Sequence, residues 1–233
     1  EAMTQICNQA AKLHYRWGQS VDMVIRMPTG AGMAAGPFHS QSTEAWFARV
    51  PGLKVVYPST PAQAKGLLLR AFEDPNPVLF FEHKNLYRSF EEEVPEEYYT
   101  LPLDRAVLVQ PGEDLTVIAY GSAVHWVQDW MQANPGTSIE LIDLVSLRPV
   151  DWNTLEKSVR KTNRCLVVQE DTFLGSIGSS IASEIQQRCF AVLDAPVSVL
   201  SSSDTPIPFA AELERGFLPQ ERLNSAIQSI LNY

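Results

Sequence analysis

Short apolar segments alternate with segments of helical periodicity in the first part of the chain. Three of these segments are rich in apolar residues, which favours buried strands, and they lie at residues 21–26, 53–58 and 77–83. Before the third strand, Ser59 or Thr60 is suited to cap a helix, Pro61 suits the first helical position, and residues 59–73 carry an apolar helical stripe. Strand, helix and strand at this spacing indicate βαβ units. The pattern therefore predicts an α/β fold built on a parallel sheet.

Two further helices are predicted in the same part of the chain. The first has an apolar face that consists of Ile6, Ala10, Leu13 and Trp17. Gly18 is expected to end it. A short helix is expected at residues 43–50, with Ser42 or Thr43 as its cap. Because the helical pattern is already present at the first residues, we expect the chain to be cut from a longer polypeptide. An ordinary N-terminal helix is the alternative interpretation.

A second α/β unit follows an acidic segment that contains two prolines. Four strands are predicted at residues 114–122, 138–144, 164–171 and 195–200. Helices are predicted between and after them, at residues 123–133, 153–163, 176–188 and 219–233. We therefore predict two doubly wound domains, at residues 1–88 and 104–233, joined by a linker at residues 89–103. A long surface loop within a single domain is the alternative interpretation of the linker.

The amino-acid composition argues against some classes of binding partner. The 233 residues carry a net charge of −9, which argues against a general nucleic-acid binder because such proteins need clustered Lys and Arg. No apolar run approaches the roughly 20 residues of a membrane span, so no membrane partner is expected. Cys7, Cys165 and Cys189 are odd in number and widely spaced, which favours free thiols in a reducing compartment.

His39 is the residue with the strongest chemical context. It follows a predicted strand and a glycine-rich stretch that contains Gly30, Gly32 and Gly36, and α/β sheets bind ligands at the carboxyl ends of their strands. An imidazole there suits proton transfer near neutral pH. The residues alone leave a second interpretation open, in which His39 is a loop histidine with one structural hydrogen bond.

Other motifs carry weaker signals. His14 and His125 are predicted on helices and His83 at a strand end, and no pair of histidines has the spacing of zinc ligands. Residues 175–180, with the sequence GSIGSS, begin a predicted helix. They are suited either to bind an anion or to serve as a contact between small residues.

Four stretches carry a family resemblance that extends in order over essentially the whole chain. They read RMPTGAGMAAGPFHSQSTEAWFARVPGLKVVYPSTPAQAKGLL, DPNPVLFFEHKNLYRSFEEEVPEEYYTLPL, IDLVSLRPVDWNTLEKSVRKTNRCLVVQED and LDAPVSVLSSSDTPIP. They closely resemble the beta subunit, or the beta half of a fused chain, of the thiamine-diphosphate-dependent 2-oxo-acid dehydrogenases. KNLYR and EEVPEEYY are most similar to the branched-chain enzymes and their bacterial relatives. The resemblance implies a partial thiamine-pyrimidine-binding domain followed by a transketolase C-terminal-type domain.

The resemblance also implies an activity. Enzymes of this family decarboxylate a 2-oxo acid and pass the acyl group to the lipoyl arm of a partner acyltransferase. Their catalytic beta-chain histidine lies in the HSQS motif, which assigns that role to His39. Ser40 and Gln41 are then expected to support the loop or the substrate. The catalytic interpretation is thereby preferred to the structural one.

Cofactors and partners follow from the same resemblance. Thiamine diphosphate with Mg²⁺ is expected to be held jointly with an alpha subunit or an alpha half, and a second beta chain completes the assembly. The basic binding domain of the acyltransferase core is expected to dock near Asp194, in agreement with the acidic net charge. Members of this family bind a K⁺ ion through backbone carbonyls. The resemblance assigns that site to Val21, Met23, Ala71, Asp74 and Asn76.

Several points stay open at this stage. The family glutamate that contacts the cofactor ring aligns before Glu1, so this chain alone is expected to be inactive. The alternatives are a non-catalytic module that keeps only dimerisation and acyltransferase docking, or another transketolase-like enzyme. The expected compartment is the cytoplasm of a bacterium, or the mitochondrial or plastid matrix of a eukaryote. The 2-oxo acid is not specified by these residues.

Overall fold

The computed structural model describes residues 2–89 and 91–233, so Glu1 and Phe90, the latter within the predicted linker, lie outside the described residues. The first element is helical throughout and has three parts, α1 (Ala2–Thr4), a π-helical turn (Gln5–Ala10) and α2 (Ala11–Trp17). Gly18 follows α2 with a φ of 68°, a left-handed conformation that glycine adopts without steric cost. The predicted helix and its end are confirmed.

The first sheet contains three parallel strands in the order β1–β3–β2. They are β1 (Val24–Thr29), β2 (Lys54–Val56) and β3 (Val78–His83). The helix α5 (Pro61–Glu73) connects β2 to β3, and Thr60 caps it by accepting the Gln63 N–H at 3.3 Å. Two short helices, α3 (Gly36–His39) and α4 (Glu44–Ala48), connect β1 to β2, and α6 (Leu86–Ser89) follows β3. The strand–helix–strand pattern is confirmed.

The second sheet has five strands in the order β4–β6–β5–β8–β9, and all of its neighbouring pairs except β4–β6 are parallel. The strands are β4 (Val107–Gln110), β5 (Leu115–Ala119), β6 (Ile139–Asp143), β8 (Cys165–Val168) and β9 (Ser198–Leu200). The helices that accompany them are α7 (Ser122–Ala133), α8 (Trp152–Thr162), α9 (Ile177–Cys189), α10 (Ala211–Phe217) and α11 (Leu223–Leu231). Mixed α/β architecture with two mostly parallel sheets is therefore confirmed. The short edge strand β4 and the helix α10 were not anticipated.

One strand crosses from the second half of the chain to the first sheet. It is β7 (Ser146–Arg148), and it pairs antiparallel with β2. Val145 turns the chain with a φ of 54°, and its carbonyl accepts the Tyr57 N–H at 2.8 Å. This strand was not predicted from the sequence, because Leu147 is its one apolar residue and no apolar run marks it. The first sheet is thus completed by residues from beyond the predicted linker.

The predicted linker lies against α5 instead of running free. Lys65 Nζ donates to the carbonyls of Glu96 and Glu97 at 3.1 and 3.0 Å, and the Tyr99 hydroxyl donates to Ala62 O at 2.8 Å. Leu101 N donates to Gly66 O at 3.1 Å. Together these bonds fasten the segment along the helix. The boundaries of the predicted domains and linker remain a prediction.

A shared core lies between the two sheets. One cluster of buried side chains contains Leu79 and Phe81 of β3 together with Ile118 of β5 and Ile142 of β6. Burying such a side chain contributes about 1.5–3 kcal/mol, so this cluster joins the two halves strongly. Among the described residues, the helices are all too short or too polar to cross a membrane.

Candidate active site

The strand ends that carry polar residues meet where the two halves touch. β1 continues into Gly30 and Ala31, β3 ends at His83, and β8 is followed by Gln169 and Glu170. Ala31 N and the His83 ring both contact the Glu170 carboxylate, which places the carboxyl ends of these three strands side by side. Ligands bind at such strand ends in α/β proteins. The His39 loop arises at this junction.

The loop that carries His39 begins at Gly30 and ends at Ser42. Gly30, Gly32 and Gly36 have φ values of 96°, 89° and 75°, in the left-handed region that glycine adopts without steric cost. The base of the loop is closed at Gln41 O, which accepts the Thr29 hydroxyl at 2.5 Å and the Gly30 N–H at 3.4 Å. These two hydrogen bonds therefore hold the two ends of the loop together.

The residues of the HSQS motif differ in their exposure to solvent. His39 is the last residue of the one-turn helix α3, and its side chain is exposed. Ser40 is buried, and within the described part of the chain its hydroxyl has no hydrogen-bond partner. The Gln41 side chain is exposed, while its carbonyl closes the loop. His39 and Gln41 can therefore reach solvent, whereas Ser40 faces the interior.

A cleft of about 440 Å³ opens along this segment. On the loop side it is lined by Phe38, Gln41 and Ser42. The opposite wall comes from the second half of the chain and contains Asp171, Thr172, Thr205, Ile207 and Phe217. Aromatic and aliphatic surface with a few polar groups is typical of a site for an organic ligand. His39 lies on the segment that forms one wall of this cleft.

A buried histidine–glutamate hydrogen bond lies beneath the loop. His83 Nε2 is 2.7 Å from Glu170 Oε2, and both side chains are buried. Burial raises the pKa of the Glu170 carboxyl, but the charge and hydrogen bond of His83 and the bonds from Ala31 and Ser42 outweigh burial and lower the pKa below its ordinary value. Glu170 is therefore held as a carboxylate. Sequence reasoning had treated His83 as a strand-end residue and had not singled out Glu170. The signal available was a polar residue directly after a buried strand.

A second buried carboxyl adjoins the same junction. Burial, with the nearby Asp171 charge, raises the pKa of Glu44 to about 8. The Tyr120 hydroxyl donates to Glu44 Oε1 at 2.9 Å. Burial also raises the pKa of Asp171, on the cleft wall, to about 6. Neither Glu44 nor Asp171 was singled out from the sequence, and of these two carboxyl groups Asp171 lines the cleft while Glu44 does not.

The segments predicted to bind K⁺ come together in the structure. Val21 N donates to Pro75 O and Val78 N donates to Met23 O, both at 2.9 Å, which joins the segment before β1 to the connection between α5 and β3 and to the start of β3. The Asp74 side chain is bound by Lys54 Nζ and accepts the Asn76 N–H at 3.0 Å. The carbonyl of Ala71 accepts the Asp74 N–H at 3.3 Å. A cation at this place remains a prediction.

The remaining predicted sites lie away from the cleft. Asp194 is exposed, with Oδ2 3.8 Å from Arg164 Nη1. At the start of α9, the Gly178 N–H is bound by Gln169 at 2.7 Å and the Ser179 N–H by Ser176 at 3.1 Å. These amides are already occupied, which favours the packing interpretation of the GSIGSS segment over an anion site.

Comparison with known proteins shows which family the chain belongs to. Residues 3–89 match the transketolase pyrimidine-binding domain, and residues 104–222 match the transketolase C-terminal domain. The mitochondrial 2-oxoisovalerate dehydrogenase subunit beta 2 of Arabidopsis thaliana is 45% identical over 238 positions, covering 100% of this chain and 66% of that protein. The pyruvate dehydrogenase E1 component subunit beta of Porphyra purpurea is 42% identical over 236 positions, covering 99% of this chain and 71% of that protein. The chain belongs to the beta-subunit family of 2-oxo-acid dehydrogenases.

The two-sheet architecture of this chain also matches that of a solved structure. The structure, described as a split gene transketolase, inactive beta4 tetramer, matches with a TM-score of 0.71 and 22% sequence identity. The match covers 99% of this chain and 74% of that chain. At this identity the likeness concerns the fold alone. The transketolase-type fold inferred from the sequence is confirmed.

Proposed function

We propose that the chain is the beta component, or part of it, of a thiamine-diphosphate-dependent 2-oxo-acid dehydrogenase. The enzyme would convert a 2-oxo acid to CO₂ and an acyl group, which passes to the lipoyl arm of an acyltransferase core. The observation that carries the proposal is family membership over the whole chain, together with a cleft whose wall contains Gln41 and Ser42 of the HSQS motif. The relatives include both pyruvate and 2-oxoisovalerate enzymes, so the proposal names the 2-oxo-acid class and no single substrate.

The residues of the cleft suit one part of the cofactor. Phe38, Ile207 and Phe217 offer apolar surface to an aromatic ring, and Asp171 offers a carboxylate to a cationic one. The described lining contains neither Lys nor Arg, which a diphosphate would require. The diphosphate and its Mg²⁺ would therefore be held by an alpha subunit or alpha half. When bound, thiamine diphosphate supplies the carbon centre at which CO₂ is lost.

His39 would act at the mouth of the cleft. Its exposed imidazole can first hold the carboxylate of the 2-oxo acid. When the acyl carbon bonds to one sulfur of the lipoyl dithiolane, the S–S bond breaks and the other sulfur leaves as a thiolate. Protonated His39 would give its proton to that sulfur and become neutral. Gln41 would orient the substrate from the same wall, and Ser40 would support the loop from inside.

The proposal includes partners and a second cation. Alongside an alpha chain, a second beta chain would complete the heterotetramer, and the acyltransferase core would dock near exposed Asp194, whose charge suits a basic domain. K⁺ would bind the carbonyls of the segments that contain Val21, Met23, Ala71, Asp74 and Asn76, since carbonyl oxygens suit a weakly hydrated cation. The enzyme would work in a bacterial cytoplasm or in a mitochondrial or plastid matrix.

The test compares two reactions of the enzyme assembled with its alpha partner. His39→Ala and His39→Asn should lower lipoyl-dependent turnover by about 10²–10⁴-fold, because a positioned general acid contributes that much. Decarboxylation with an artificial electron acceptor should fall less, since no lipoyl sulfur has to be protonated. His14→Ala, which changes an exposed histidine on α2, is the matched control and should leave both rates unchanged.

Two outcomes would contradict the proposal. Full lipoyl-dependent turnover in His39→Asn would show that His39 is a structural loop residue. Assembly with the alpha partner and the acyltransferase, but without turnover in the unmodified protein, would instead identify a docking module without catalysis.

A further inference from the structure

Two glutamates from the second half of the chain reach across to the His39 loop. Glu170 follows β8, and its Oε1 accepts the Ala31 N–H at 2.7 Å and the Ser42 hydroxyl at 3.2 Å. Glu214 lies in α10, and its Oε2 accepts the Ala34 N–H at 2.8 Å. The two carboxylates are therefore bonded to the beginning, the middle and the end of the loop.

The bonds from Glu170 act at the two stems of the loop. Ala31 is the second residue of the loop and Ser42 is the last, so a single carboxylate oxygen ties both stems together. Ser42 directly precedes Thr43, the N-cap of α4, yet Thr43 makes no capping bond with its side chain. The Ser42 hydroxyl is thus directed to Glu170 and does not cap the helix that follows.

Glu170 is itself held rigidly from the other side. His83 Nε2 binds its second oxygen at 2.7 Å, and the His83 ring lies between Gly30 and the stacked ring of Tyr57, with 6.5 Å between the two ring centroids. Side chains that are packed in this way retain little rotamer freedom. A carboxylate whose two oxygens are both bound and whose partner is packed can serve as a fixed reference point for the loop.

We infer that Glu170 and Glu214 are positioning residues, which fix the loop so that His39 is presented at the cleft. The inference deepens the proposed function, because it assumes that His39 acts on the substrate. Under this inference, two residues from the second half of the chain orient His39, which belongs to the first half. In this role both glutamates act through the loop. Glu170 borders the cleft, but its carboxylate is bound by Ala31, Ser42 and His83, and Glu214 is buried in α10.

Hydrogen–deuterium exchange of residues 30–42 tests the inference without any activity measurement. In the assembled enzyme, Glu170→Ala should raise the exchange rate of the peptide that contains the Ala31 amide by at least about tenfold. Glu170→Gln keeps an oxygen acceptor for Ala31 and Ser42, so it should restore part of the protection. Glu214→Ala should accelerate exchange chiefly around Ala34.

Glu140→Gln is the matched control. Glu140 is also a buried carboxylate, paired with Lys161, but it lies in β6 and its contacts are with Lys161 and Gly112. Its substitution should leave exchange of residues 30–42 unchanged. If Glu170→Ala does not fold, Glu170→Gln and Ser42→Ala take its place, and each should still raise exchange at Ala31.

Kinetics complete the test. Loss of positioning should lower kcat of the lipoyl-dependent reaction by about tenfold or more in Glu170→Ala, while the KM for the 2-oxo acid changes less. Unchanged exchange of the loop in the Glu170 variants would overturn the inference, whatever His39 does. Full turnover in His39→Ala with accelerated exchange in Glu170→Ala would instead refute the catalytic role proposed for His39 and leave the anchoring of the loop established.

Discussion

The Tyr120 hydroxyl donates a hydrogen bond of 2.9 Å to Glu44 Oε1, and this bond joins the end of β5 in the second half to α4 in the first half. The other oxygen of Glu44 is buried and has no hydrogen-bond partner within the described residues. A carboxyl group that is buried with one bound oxygen favours its neutral form. The junction between the halves therefore contains a group whose protonation is coupled to folding.

Glu44 should make the stability of the protein depend on pH. Its pKa rises from 4.5 to about 8 on folding, so between these pH values the native state binds more protons than the unfolded state. The free energy of unfolding should consequently fall as the pH rises through this window. Glu44→Gln removes the titration. The variant should gain more than about 1 kcal/mol relative to the unmodified protein between pH 5 and pH 8.5.

Chemical denaturation at the two pH values measures this difference. Glu221→Gln, at an exposed position in the turn before α11, is the control and should follow the unmodified protein. Parallel stability curves for Glu44→Gln and the unmodified protein would show that Glu44 does not titrate in this range.

Gly30→Ala should destabilise the fold. Gly30 has a φ of 96°, and an added Cβ would overlap the His83 ring that holds Glu170. Backbone strain and overpacking each cost about 1–3 kcal/mol, so we expect a loss of about 2 kcal/mol or more in the free energy of unfolding. Gly18→Ala is the control, since Gly18 also has a positive φ of 68° but its Cβ would meet open space. Equal losses in the two variants would show that contact with His83 contributes nothing.

Gly66→Ala should loosen the segment that follows α6. Alanine inside a helix is ordinarily more stable than glycine by about 0.5–1 kcal/mol. At Gly66, however, the added Cβ would lie 2.7 Å from Leu101 Cγ and from Tyr99 Cε2. Because overpacking costs about 1–3 kcal/mol, we expect the clash to exceed the helical gain.

Limited proteolysis measures the effect of Gly66→Ala, and cleavage within residues 91–103 should be faster than in the unmodified protein. Gly216→Ala, in α10 with open space around its Cβ, should be neutral or slightly stabilising. Slower cleavage of the segment in Gly66→Ala would mean that the helical gain outweighs the contact.

Local sequence determined where most strands and helices lie. Apolar runs and helical stripes are properties of neighbouring residues, so the three strands of the first half, the helix capped by Thr60 and the stop at Gly18 were all predicted correctly. The HSQS motif singled out His39 because family resemblance is also carried by contiguous residues. Strands β7 and β4 were not predicted, and in β7 only Leu147 of the three residues is apolar, so no apolar run marks that strand.

Tertiary structure decided what surrounds His39. Glu170 is 139 residues from Ala31 and 87 from His83, and Glu214 is 180 residues from Ala34. No local pattern encodes a pairing at such separations. The partners meet because the carboxyl ends of strands from both sheets face one another across a shared core. The sequence by itself therefore identified the histidine and the elements that carry it. Which buried carboxylates bind its loop depends on the packing of the two sheets. A carboxylate can remain buried only where the fold places hydrogen-bond donors around it.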